Sequence, residues 1–272
     1  MTIHVRAPAT TANIGPGFDC AAAAFDLWNE LEVSDGGGGP DLGHLGVRAF
    51  SLLADPAGYA FEWTTRIPRE RGLGSSASVI ALGLVAGAAA AGVEPSVDEL
   101  LALGLPLEGH PDNLAAALAG GVTAVVDGRV VRLADRAPAE AIALVPEHSV
   151  RTDEARAALP ESVPHADAAY TAGHAVLLGA ALATGSAELF AAAARDRLHE
   201  PYRARTAPLL DAVRERLPES ALAVTLSGSG PTVIVWARPE GAEECARDLA
   251  ARFPGDRVLR LAVSPAGAGP VG

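Results

Sequence analysis

The chain has 272 residues, of which 49% are hydrophobic, so it can bury the core of one large domain or two ordinary ones. Its formal net charge of -12 argues against non-specific binding to nucleic acid or to an anionic membrane. The N-terminus has no basic region followed by an apolar run, so we expect no signal peptide and a cytoplasmic protein. Cys20 and Cys245 lack metal-ligand spacing, which predicts neither a disulfide nor a zinc site.

The sequence contains no lysine, since all 21 basic residues are arginines. A Walker A phosphate loop requires a lysine, as does the lysine–glutamate pair of the protein kinases. Enzymes that use pyridoxal phosphate bind it through a lysine Schiff base. The composition therefore excludes these three classes, however well a loop of the chain suits phosphate.

The N-terminal segment predicts a strand followed by a polar loop. Ile3–Ala7 alternates apolar and polar residues, which is typical of a strand. Pro8–Asp19 is rich in turn residues, and its Asn13 and Asp19 are candidate ligand contacts or, alternatively, parts of an Asx-type turn. The next segments predict a strand, a flexible connection, a helix and a strand over Asn29–Ser34, Ser34–Gly43, His44–Ala54 and Tyr59–Thr65.

Arg71–Ser78 places two glycines directly before a helix that is predicted from about Ser76 to Ala91. Glycine allows the backbone to turn tightly and to approach a ligand closely. Ser75 and Ser76 are good N-cap residues, and the first amides of a helix attract anions such as phosphate. The segment is either a phosphate loop or an ordinary glycine-rich cap of a buried helix.

A second polar cluster follows a helix that is predicted to begin at Ser96 with a capping box. Within Leu107–Asn113, which reads LEGHPDN, Glu108 and Asp112 could hold a hard cation such as Mg²⁺. His110 could orient a substrate. Alternatively, the acids simply favour the dipole of an exposed helix N-terminus.

The remaining elements mix strands and helices without regular alternation, which predicts an α+β fold. Asp127-Gly128 predicts a hairpin between strands Val122–Val126 and Arg129–Leu133. Further strands are predicted over Ala141–Pro146, Leu222–Leu226, Val233–Trp236 and Val258–Val263. Further helices are predicted over Val163–Thr184, Ser186–Leu198, Thr206–Arg216 and Glu240–Phe253. The tail Ser264–Gly272 is expected to fray.

Two segments of this half carry further candidate contacts. The run 195–205 contains four arginines, which either bind carboxylate or phosphate through paired hydrogen bonds or form a solvated surface. Ser227–Thr232 reads SGSGPT between two apolar strands, where glycine permits the close approach of a bulky group.

Three glycine-containing motifs thus occur in a fixed order, namely Pro8–Asp19, Gly72–Ser78 and Ser227–Thr232. Together they resemble the three signature motifs of the GHMP kinase superfamily, whose phosphate loop uses no lysine. Within it the chain is most similar to the homoserine kinase family, through PATTANIGPGFD, RGLGSSAS, EGHPDNLAAALAGG, DRLHEPYRARTAPLL and TLSGSGPTV. The similarity runs from about Ile3 to Trp236.

The resemblance implies a two-domain GHMP kinase architecture. A ribosomal-S5-domain-2-like N-terminal domain would cover residues 1–137 and a ferredoxin-like C-terminal domain residues 138–272. The implied activity is the ATP- and Mg²⁺-dependent phosphorylation of the side-chain hydroxyl of L-homoserine to O-phospho-L-homoserine, a step of threonine biosynthesis. The resemblance also implies a homodimer that binds small substrates and neither nucleic acid nor membrane.

The resemblance assigns roles to individual residues as well. ATP would be bound by Arg71, Gly72, Leu73, Gly74, Ser75, Ser76 and Ala77. Mg²⁺ would be held by Glu108 and by Ser75 or Ser76, and catalysis would depend on Asn113, Ser76 and Glu108. The substrate would be bound by Asn13, Asp19, His110, Asn113, Arg203 and Gly228. Asp19 would face its ammonium group, and Arg203 would bind its carboxylate.

Two residues differ from what relatives usually carry. Asn113 stands where related mevalonate kinases have an aspartate, and an amide cannot act as a base, so positioning and electrostatics would supply the rate enhancement. His174 stands where homoserine kinases usually have a second arginine, and imidazole cannot make a forked carboxylate contact. The alternatives are a GHMP kinase for another small hydroxylated metabolite, or a non-catalytic homologue that binds a nucleotide or metabolite.

Overall fold

In the computed structural model, which describes residues 2–37, 39–205 and 207–271, two antiparallel sheets are packed with helices. The predicted α+β class is confirmed. The strands are β1 (Thr2–Asn13), β2 (Gly17–Asp35), β3 (Tyr59–Thr64), β4 (Val122–Val126), β5 (Arg129–Ala134), β6 (Glu140–Val145), β7 (Ala221–Leu226), β8 (Val233–Ala237), β9 (Arg257–Leu261) and β10 (Gly269–Pro270). The α-helices are α1 (Leu45–Phe50), α2 (Ser75–Ala91), α3 (Val97–Glu108), α4 (Pro111–Ala119), α5 (Thr152–Ala157), α6 (His165–Thr184), α7 (Ala187–Ala193), α8 (Glu200–Arg203), α9 (Pro208–Glu215) and α10 (Ala242–Arg252).

The first sheet is built around the long hairpin of β1 and β2. Its strands lie in the order β10-β1-β2-β4-β5, and β3 pairs with the C-terminal part of β2. The sequence predicts a loop over Pro8–Asp19, but residues 9–13 pair with β2 and leave only a short turn. Pro8 lies at a register shift, where a strand tolerates a residue without an N–H group. Cross-strand pairing therefore overrides the turn propensity of this segment.

Helix α2 packs closely against its neighbours because its sequence is rich in alanine and glycine. Its Gly83 is so near α1 that an added Cβ would lie 2.1 Å from the carbonyl oxygen of Gly46. At Gly87 an added Cβ would lie 2.7 Å from the carbonyl oxygen of Phe50. The predicted buried helix is thus confirmed, and its N-terminus is held firmly over the first sheet.

The second sheet has the strand order β7-β8-β6-β9, with all neighbours antiparallel. Helices lie between β6 and β7 and between β8 and β9, so the chain order of this unit is the β-α-β-β-α-β order of a ferredoxin-like fold. The sheet begins at Glu140, and the expected domain boundary between residues 137 and 138 stays a prediction.

A shared core joins the two sheets. Phe25 of β2 and Trp236 of β8 belong to one buried cluster, with ring centroids 6.2 Å apart. Near them, the backbone N–H of Asp26 donates to the carbonyl of Ala262, just after β9. This junction fixes the loops of the two sheets relative to one another.

The C-terminal tail returns to the first sheet instead of fraying as predicted. Gly269–Pro270 pair with β1, and the N–H of Ala268 donates to the carbonyl of Ala117. At Gly267 an added Cβ would lie 2.1 Å from the carbonyl oxygen of Leu118. Small residues that look disordered in the sequence are therefore required by close packing on α4. Gly272 lies outside the described residues.

Some helices differ from their predicted lengths. α1 and α7 are shorter than the predicted spans His44–Ala54 and Ser186–Leu198, and the predicted helix start Thr206 lies outside the described residues. The sequence does not predict α5 and α8, because six and four residues contain too little periodicity. Among the described helices, none is long and apolar enough to cross a membrane.

Candidate active site

Three loops that are distant in the sequence meet at one place. The backbone N–H of Thr10 donates to the carbonyl of Leu73 over 3.1 Å. The hydroxyl of Ser227 donates to the carbonyl of Gly72 over 2.6 Å. The structure therefore brings together the three glycine-containing motifs of the sequence.

The glycine loop presents backbone amides at the start of α2. Gly74 is the N-cap of α2 with a left-handed φ of 65°, and it provides no side-chain cap for the first amides of the helix. An added Cβ at Gly74 would lie 1.8 Å from Oγ1 of Thr10, and one at Gly72 would lie 2.3 Å from the carbonyl oxygen of Ser227. Both positions therefore require glycine, and the uncapped amides suit an anion such as phosphate.

Three other residues of this loop are predicted to contact ATP, and their side chains are already engaged within the protein. The side chains of Leu73 and Ala77 are fully buried in the core, so only their backbones are available to a ligand. The Nε–H of Arg71 donates to the carbonyl of Pro146 over 2.9 Å. The guanidinium of Arg71 thus connects the loop to the end of β6.

A carboxylate and a hydroxyl meet beside the helix start. Ser75 and Ser76 are the first two residues of α2, and the N-cap position that the sequence suggested for them belongs to Gly74. The hydroxyl of Ser76 donates to Oε2 of Glu108 over 2.7 Å. Burial raises the pKa of Glu108 to about 7, and the negative charge of Asp112 acts in the same direction. Ser76 and Glu108 are therefore placed together as the resemblance implies.

Asn113 is oriented from across the site. Its Oδ1 accepts a hydrogen bond of 2.7 Å from Oγ1 of Thr10. Its Nδ2 lies near Gly228, at 3.9 Å from where a Cβ of that glycine would be. The neighbouring Asp112 is buried, and its Oδ1 accepts from the N–H of Asn113 over 2.7 Å. Burial raises the pKa of Asp112 to about 6.

Three non-glycine residues in and beside the turn between β1 and β2 have a positive φ. They are Asn13 at 73°, Ile14 at 44° and Asp19 at 55°. Asn13 supports this backbone, because its Oδ1 accepts from the N–H of Asp19 and its Nδ2 donates to the carbonyl of Gly228. Strained backbone of this kind persists where the surrounding structure fixes it, commonly at functional sites.

Arg203 reaches the same carbonyl from α8. Its side chain is buried, and Nη1 donates to the carbonyl of Gly228 over 2.9 Å. His199 lies beside it, with Nε2 3.0 Å from the carbonyl oxygen of Gly15 and Nδ1 3.4 Å from Nη1 of Arg203. Burial lowers the pKa of His199, while the charges of Asp196 and Glu200 act in the opposite direction. In the neutral ring, the tautomer with a proton on Nε2 makes this nitrogen a donor to Gly15 and Nδ1 an acceptor.

The arginine run of the sequence divides into one buried and three exposed side chains. Asp196 caps α8, since its carboxylate accepts backbone N–H groups of residues 198–200, and this directs Arg203 inward. The exposed members are Arg195, Arg197 and Arg205. Of the four arginines, Arg203 is thus the one whose guanidinium is buried and reaches the carbonyl of Gly228.

The two histidines that the sequence singles out lie in different surroundings. His110 is the N-cap residue of α4, and burial lowers its pKa, assisted by the charges of Arg156 and Arg203. His174 lies on α6, where Nδ1 is 2.8 Å from the carbonyl oxygen of Tyr170 and the two rings stack.

Arg156 is a residue of this site that the sequence did not reveal. It lies on α5, and its Nη2 donates to Oδ1 of Asp19 over 2.7 Å. The six-residue helix that carries it matches no motif and has no clear periodicity. So short a segment with a single arginine gives no signal in the sequence by which this contact could be found.

Comparison with known proteins decides the family. The family model of the GHMP kinase N-terminal domain matches residues 44–121, and that of the C-terminal domain matches residues 178–255. The homoserine kinase of Streptomyces avermitilis is 40% identical over 98% of this chain and 94% of its own length. This chain belongs to the homoserine kinase family of the GHMP kinases.

Solved structures agree with the assignment to the homoserine kinases. The homoserine kinase of Cytophaga hutchinsonii superposes with a TM-score of 0.87 at 27% identity, covering 99% of this chain and 97% of that one. A putative homoserine kinase of Listeria monocytogenes gives 0.81 at 28% identity, covering 99% of each chain. A mevalonate kinase with a TM-score of 0.71 at 15% identity shares the fold. The predicted two-domain GHMP kinase architecture is therefore confirmed.

Membership in the homoserine kinases makes this chain a phosphotransferase that uses ATP and acts on a hydroxyl group of a small molecule. The candidate site has two halves that both contact the loop after β7, since Ser227 bonds to Gly72 and the carbonyl of Gly228 accepts from Asn13 and Arg203. One half contains the uncapped start of α2 with Glu108. The other contains Asp19 and Arg203.

Proposed function

We propose that this chain transfers the γ-phosphoryl group of ATP to the side-chain hydroxyl of L-homoserine, as a step of threonine biosynthesis. The proposal rests mainly on one observation. The uncapped start of α2 lies near a pocket that contains the oppositely charged side chains of Asp19 and Arg203. Asn113 lies between them, since its Oδ1 is bonded to Thr10 and its Nδ2 lies near Gly228. An anionic donor and a zwitterionic acceptor would thus be held side by side.

The donor half suits ATP with Mg²⁺. The amides at the start of α2 would bind the phosphates, and a cleft of about 590 Å³ beside the loop, lined by Pro68–Arg71 and Ser149, offers room for the rest of the nucleotide. Ser76 and Glu108 would hold Mg²⁺, with Ser75 as the alternative hydroxyl. Burial alone disfavours the charge of Glu108, and a bound hard cation would stabilise its ionised form. A buried carboxylate at this place is therefore suited to a metal ion.

Two protein ligands are few, but Mg²⁺ commonly takes its remaining ligands from phosphate and water. Among the described residues, no group of three or more His, Cys, Asp and Glu side chains forms a metal site by itself. The bound cation would neutralise charge on the transferred group, and the chain's own contribution is the placement of Ser76 and Glu108.

The acceptor half suits an amino acid with a hydroxyl. Asp19 would bind the ammonium group and Arg203 the carboxylate, while Asn13 and Gly228 hold these two residues in place. His110 would lie on the substrate side. The reacting hydroxyl would then extend from this pocket towards the phosphates.

Asn113 would position the reacting groups and would not remove a proton. Because its Oδ1 accepts from Thr10, its Nδ2 is left to donate to the acceptor oxygen or to the phosphoryl group. An amide cannot act as a base, so the proton would pass to phosphate or solvent, and in-line positioning would supply the rate. Asp112 is bonded to the backbone of α4, which argues against a role as the base.

The test is ADP release by the purified protein with MgATP and a panel of small alcohols that includes L-homoserine. We expect turnover that depends on homoserine and on Mg²⁺. Turnover with a different alcohol but none with homoserine would support kinase activity and refute L-homoserine as the substrate. Binding of ATP without transfer to any member of the panel would favour a non-catalytic homologue.

The family resemblance also supports a homodimer and a cytoplasmic location. Sedimentation velocity at micromolar concentration would show the dimer by its mass. A single species of monomer mass across the concentration series would contradict it. Fractionation of the source cells would test the compartment.

A further inference from the structure

The imidazole of His199 joins two parts of the chain that supply charges to the acceptor half. Its ring is fully buried, and Nε2 lies 3.0 Å from the carbonyl oxygen of Gly15, 184 positions away in the sequence. On the other side of the ring, Nδ1 lies 3.4 Å from Nη1 of Arg203. One side chain thus contacts both the turn between β1 and β2 and the arginine of α8.

An aromatic ring beside the same turn packs against His199 and Arg203. Phe18 stacks on His199 with ring centroids 5.1 Å apart, and the guanidinium carbon of Arg203 lies 5.5 Å from the centroid of the Phe18 ring. Phe18 directly precedes Asp19. Burial lowers the pKa of Arg203, and the negative charge of Asp19 opposes this effect, so the two charged groups are close enough to interact. The stack of Phe18 on His199 therefore connects the backbone of Asp19 to the helix of Arg203.

The backbone of His199 is held independently of its ring. Its N–H donates to Oδ2 of Asp196 over 2.7 Å, and its carbonyl accepts from the N–H of Arg203 over 3.0 Å. Gly15 has packing of its own, since an added Cβ would lie 3.1 Å from the backbone of Ala194. We therefore expect the turn and α8 to stay folded when the ring is replaced, while the ring no longer fixes their separation.

A neutral imidazole is suited to fix such a separation. It carries a donor and an acceptor nitrogen on one rigid ring, so its two partners are held at a set distance from each other. Gly15 is buried, and a buried carbonyl without a partner costs free energy, which favours the arrangement in which His199 reaches it. The carboxylate of Asp196 also faces the ring, with Oδ2 at 3.6 Å from Nε2.

We propose that His199 is a positioning residue that, through its bond to Gly15, matches the separation of Asp19 and Arg203 to the ammonium and carboxylate groups of an α-amino acid. The proposal rests on the function proposed above, in which Asp19 binds the ammonium group and Arg203 the carboxylate. An acceptor that engages both charges depends on their separation, whereas an acceptor that engages Asp19 alone does not. His199 acts on the acceptor through the turn and α8 and not by contact.

The experiment compares L-homoserine with 3-amino-1-propanol, the same amino alcohol without its carboxylate, in the wild type and in His199→Leu. We expect KM for homoserine to rise about 5- to 30-fold, the effect of leaving a buried hydrogen-bonding group without its partner. We expect kcat for homoserine and kcat/KM for aminopropanol to stay within about 3-fold, because the donor half and Asp19 are unchanged. A purely structural role would impair both acceptors alike.

Two amide variants separate the two contacts of the ring. Glutamine carries its amide at about the position of Nε2 and can donate to the carbonyl of Gly15, whereas asparagine is one bond shorter. His199→Gln should therefore keep KM for homoserine within about 3-fold of the wild type, and His199→Asn should raise it as His199→Leu does. Both place an amide in the same buried position, so their comparison decides the question even if His199→Leu does not fold.

The matched control is His165→Leu, at an exposed histidine in the first position of α6. It should leave the kinetics of both acceptors unchanged. An equal loss with both acceptors in His199→Leu, or an unchanged KM for homoserine, would overturn the proposal. A KM for homoserine that is as high in His199→Gln as in His199→Asn would overturn it as well.

The proposed function can fail separately. If the wild type does not phosphorylate homoserine, the function is refuted directly. Calorimetric titration with homoserine and with aminopropanol then still measures whether His199→Leu weakens the binding of homoserine alone. Equal binding of homoserine to wild type and variant, or binding to neither, would overturn the role of His199.

Discussion

Thr10 and Asn113, which are 103 residues apart in the sequence, are joined by a hydrogen bond of 2.7 Å from Oγ1 to Oδ1. Thr10 is fully buried on β1, and Asn113 lies in the first turn of α4. The bond fixes which end of the Asn113 amide faces Gly228. It links the hairpin of β1 and β2 to α4, the helix that carries Asn113.

Thr10→Val should misorient Asn113 while preserving the shape of the residue. We expect kcat to fall about 10- to 100-fold, because catalysis by positioning is sensitive to shifts of about 1 Å. The unsatisfied Oδ1 should also lower the free energy of unfolding by about 1 to 2 kcal/mol. Steady-state kinetics with Thr10→Ser as the control, which keeps the hydroxyl, would check this. Unchanged kcat in Thr10→Val would show that the bond does not orient the amide.

Gly74→Ala should disturb the glycine loop before α2 more than the cost of its left-handed backbone angle alone explains. Its Cβ would collide with Oγ1 of Thr10, so we expect a loss of about 2 to 4 kcal/mol and a sharply raised KM for ATP. Gly92→Ala is the control, because Gly92 has a similar φ of 68° at the other end of α2 and open space around it. It should cost about 1 to 2 kcal/mol and leave KM unchanged. Equal effects of the two substitutions on KM would contradict the steric account.

Glu108→Gln should weaken the use of Mg²⁺. The amide removes the negative charge beside Ser76, so we expect the Mg²⁺ concentration for half-maximal rate to rise at least ~10-fold. Titration of ADP release with MgCl₂ at saturating ATP measures it. Glu94→Gln, at an exposed glutamate, is the control. The same Mg²⁺ dependence in both variants would remove Glu108 from the metal site.

Asp112→Asn should stabilise the protein at neutral pH and not in acid. Burial raises the folded-state pKa of Asp112 to about 6 from 3.8, so this group lowers stability progressively as the pH rises from ~4 to ~6. Stability from this group is complete below pH ~4 and is lost as the pH rises through ~6. At pH 8 the variant should gain about 2 to 3 kcal/mol.

Denaturant unfolding at pH 4.5 and 8 would check the effect of Asp112→Asn, with Asp55→Asn at an exposed aspartate as the control. At pH 4.5 the gain should shrink to about a third of its value at pH 8, because pKa values of about 6 in the folded state and 3.8 in the unfolded state leave roughly 1 kcal/mol of the effect. A gain of equal size at both values would mean that charge burial is not its cause. We expect activity to fall in Asp112→Asn, because buried charges that cost stability are typical of active sites.

Local chemistry allowed much of the fold to be predicted from the sequence. The capping box at Ser96 and Glu99 and the Asp127-Gly128 hairpin are present as predicted, because residues close in the chain determine them. The start of α2 was placed to within one residue. Pro8–Asn13 was wrongly predicted as loop, because pairing with β2 outweighs its turn residues.

The site was predictable where it coincides with motifs and not where it depends on distant contacts. Ser76 and Glu108 lie together as expected. Arg156 and His199 were missed, because their roles arise only when α5 and α8 pack against the turn of the first hairpin. No spacing along the chain encodes such contacts.

The most direct test of the account is phosphorus NMR of the purified protein with MgATP and L-homoserine. We predict that a phosphomonoester signal of O-phospho-L-homoserine grows as the γ-phosphate signal of ATP declines, with one ADP formed for each product. The signal should be absent without homoserine and greatly slowed in Thr10→Val. Release of inorganic phosphate at the same rate with and without homoserine, with no phosphomonoester formed, would contradict the account.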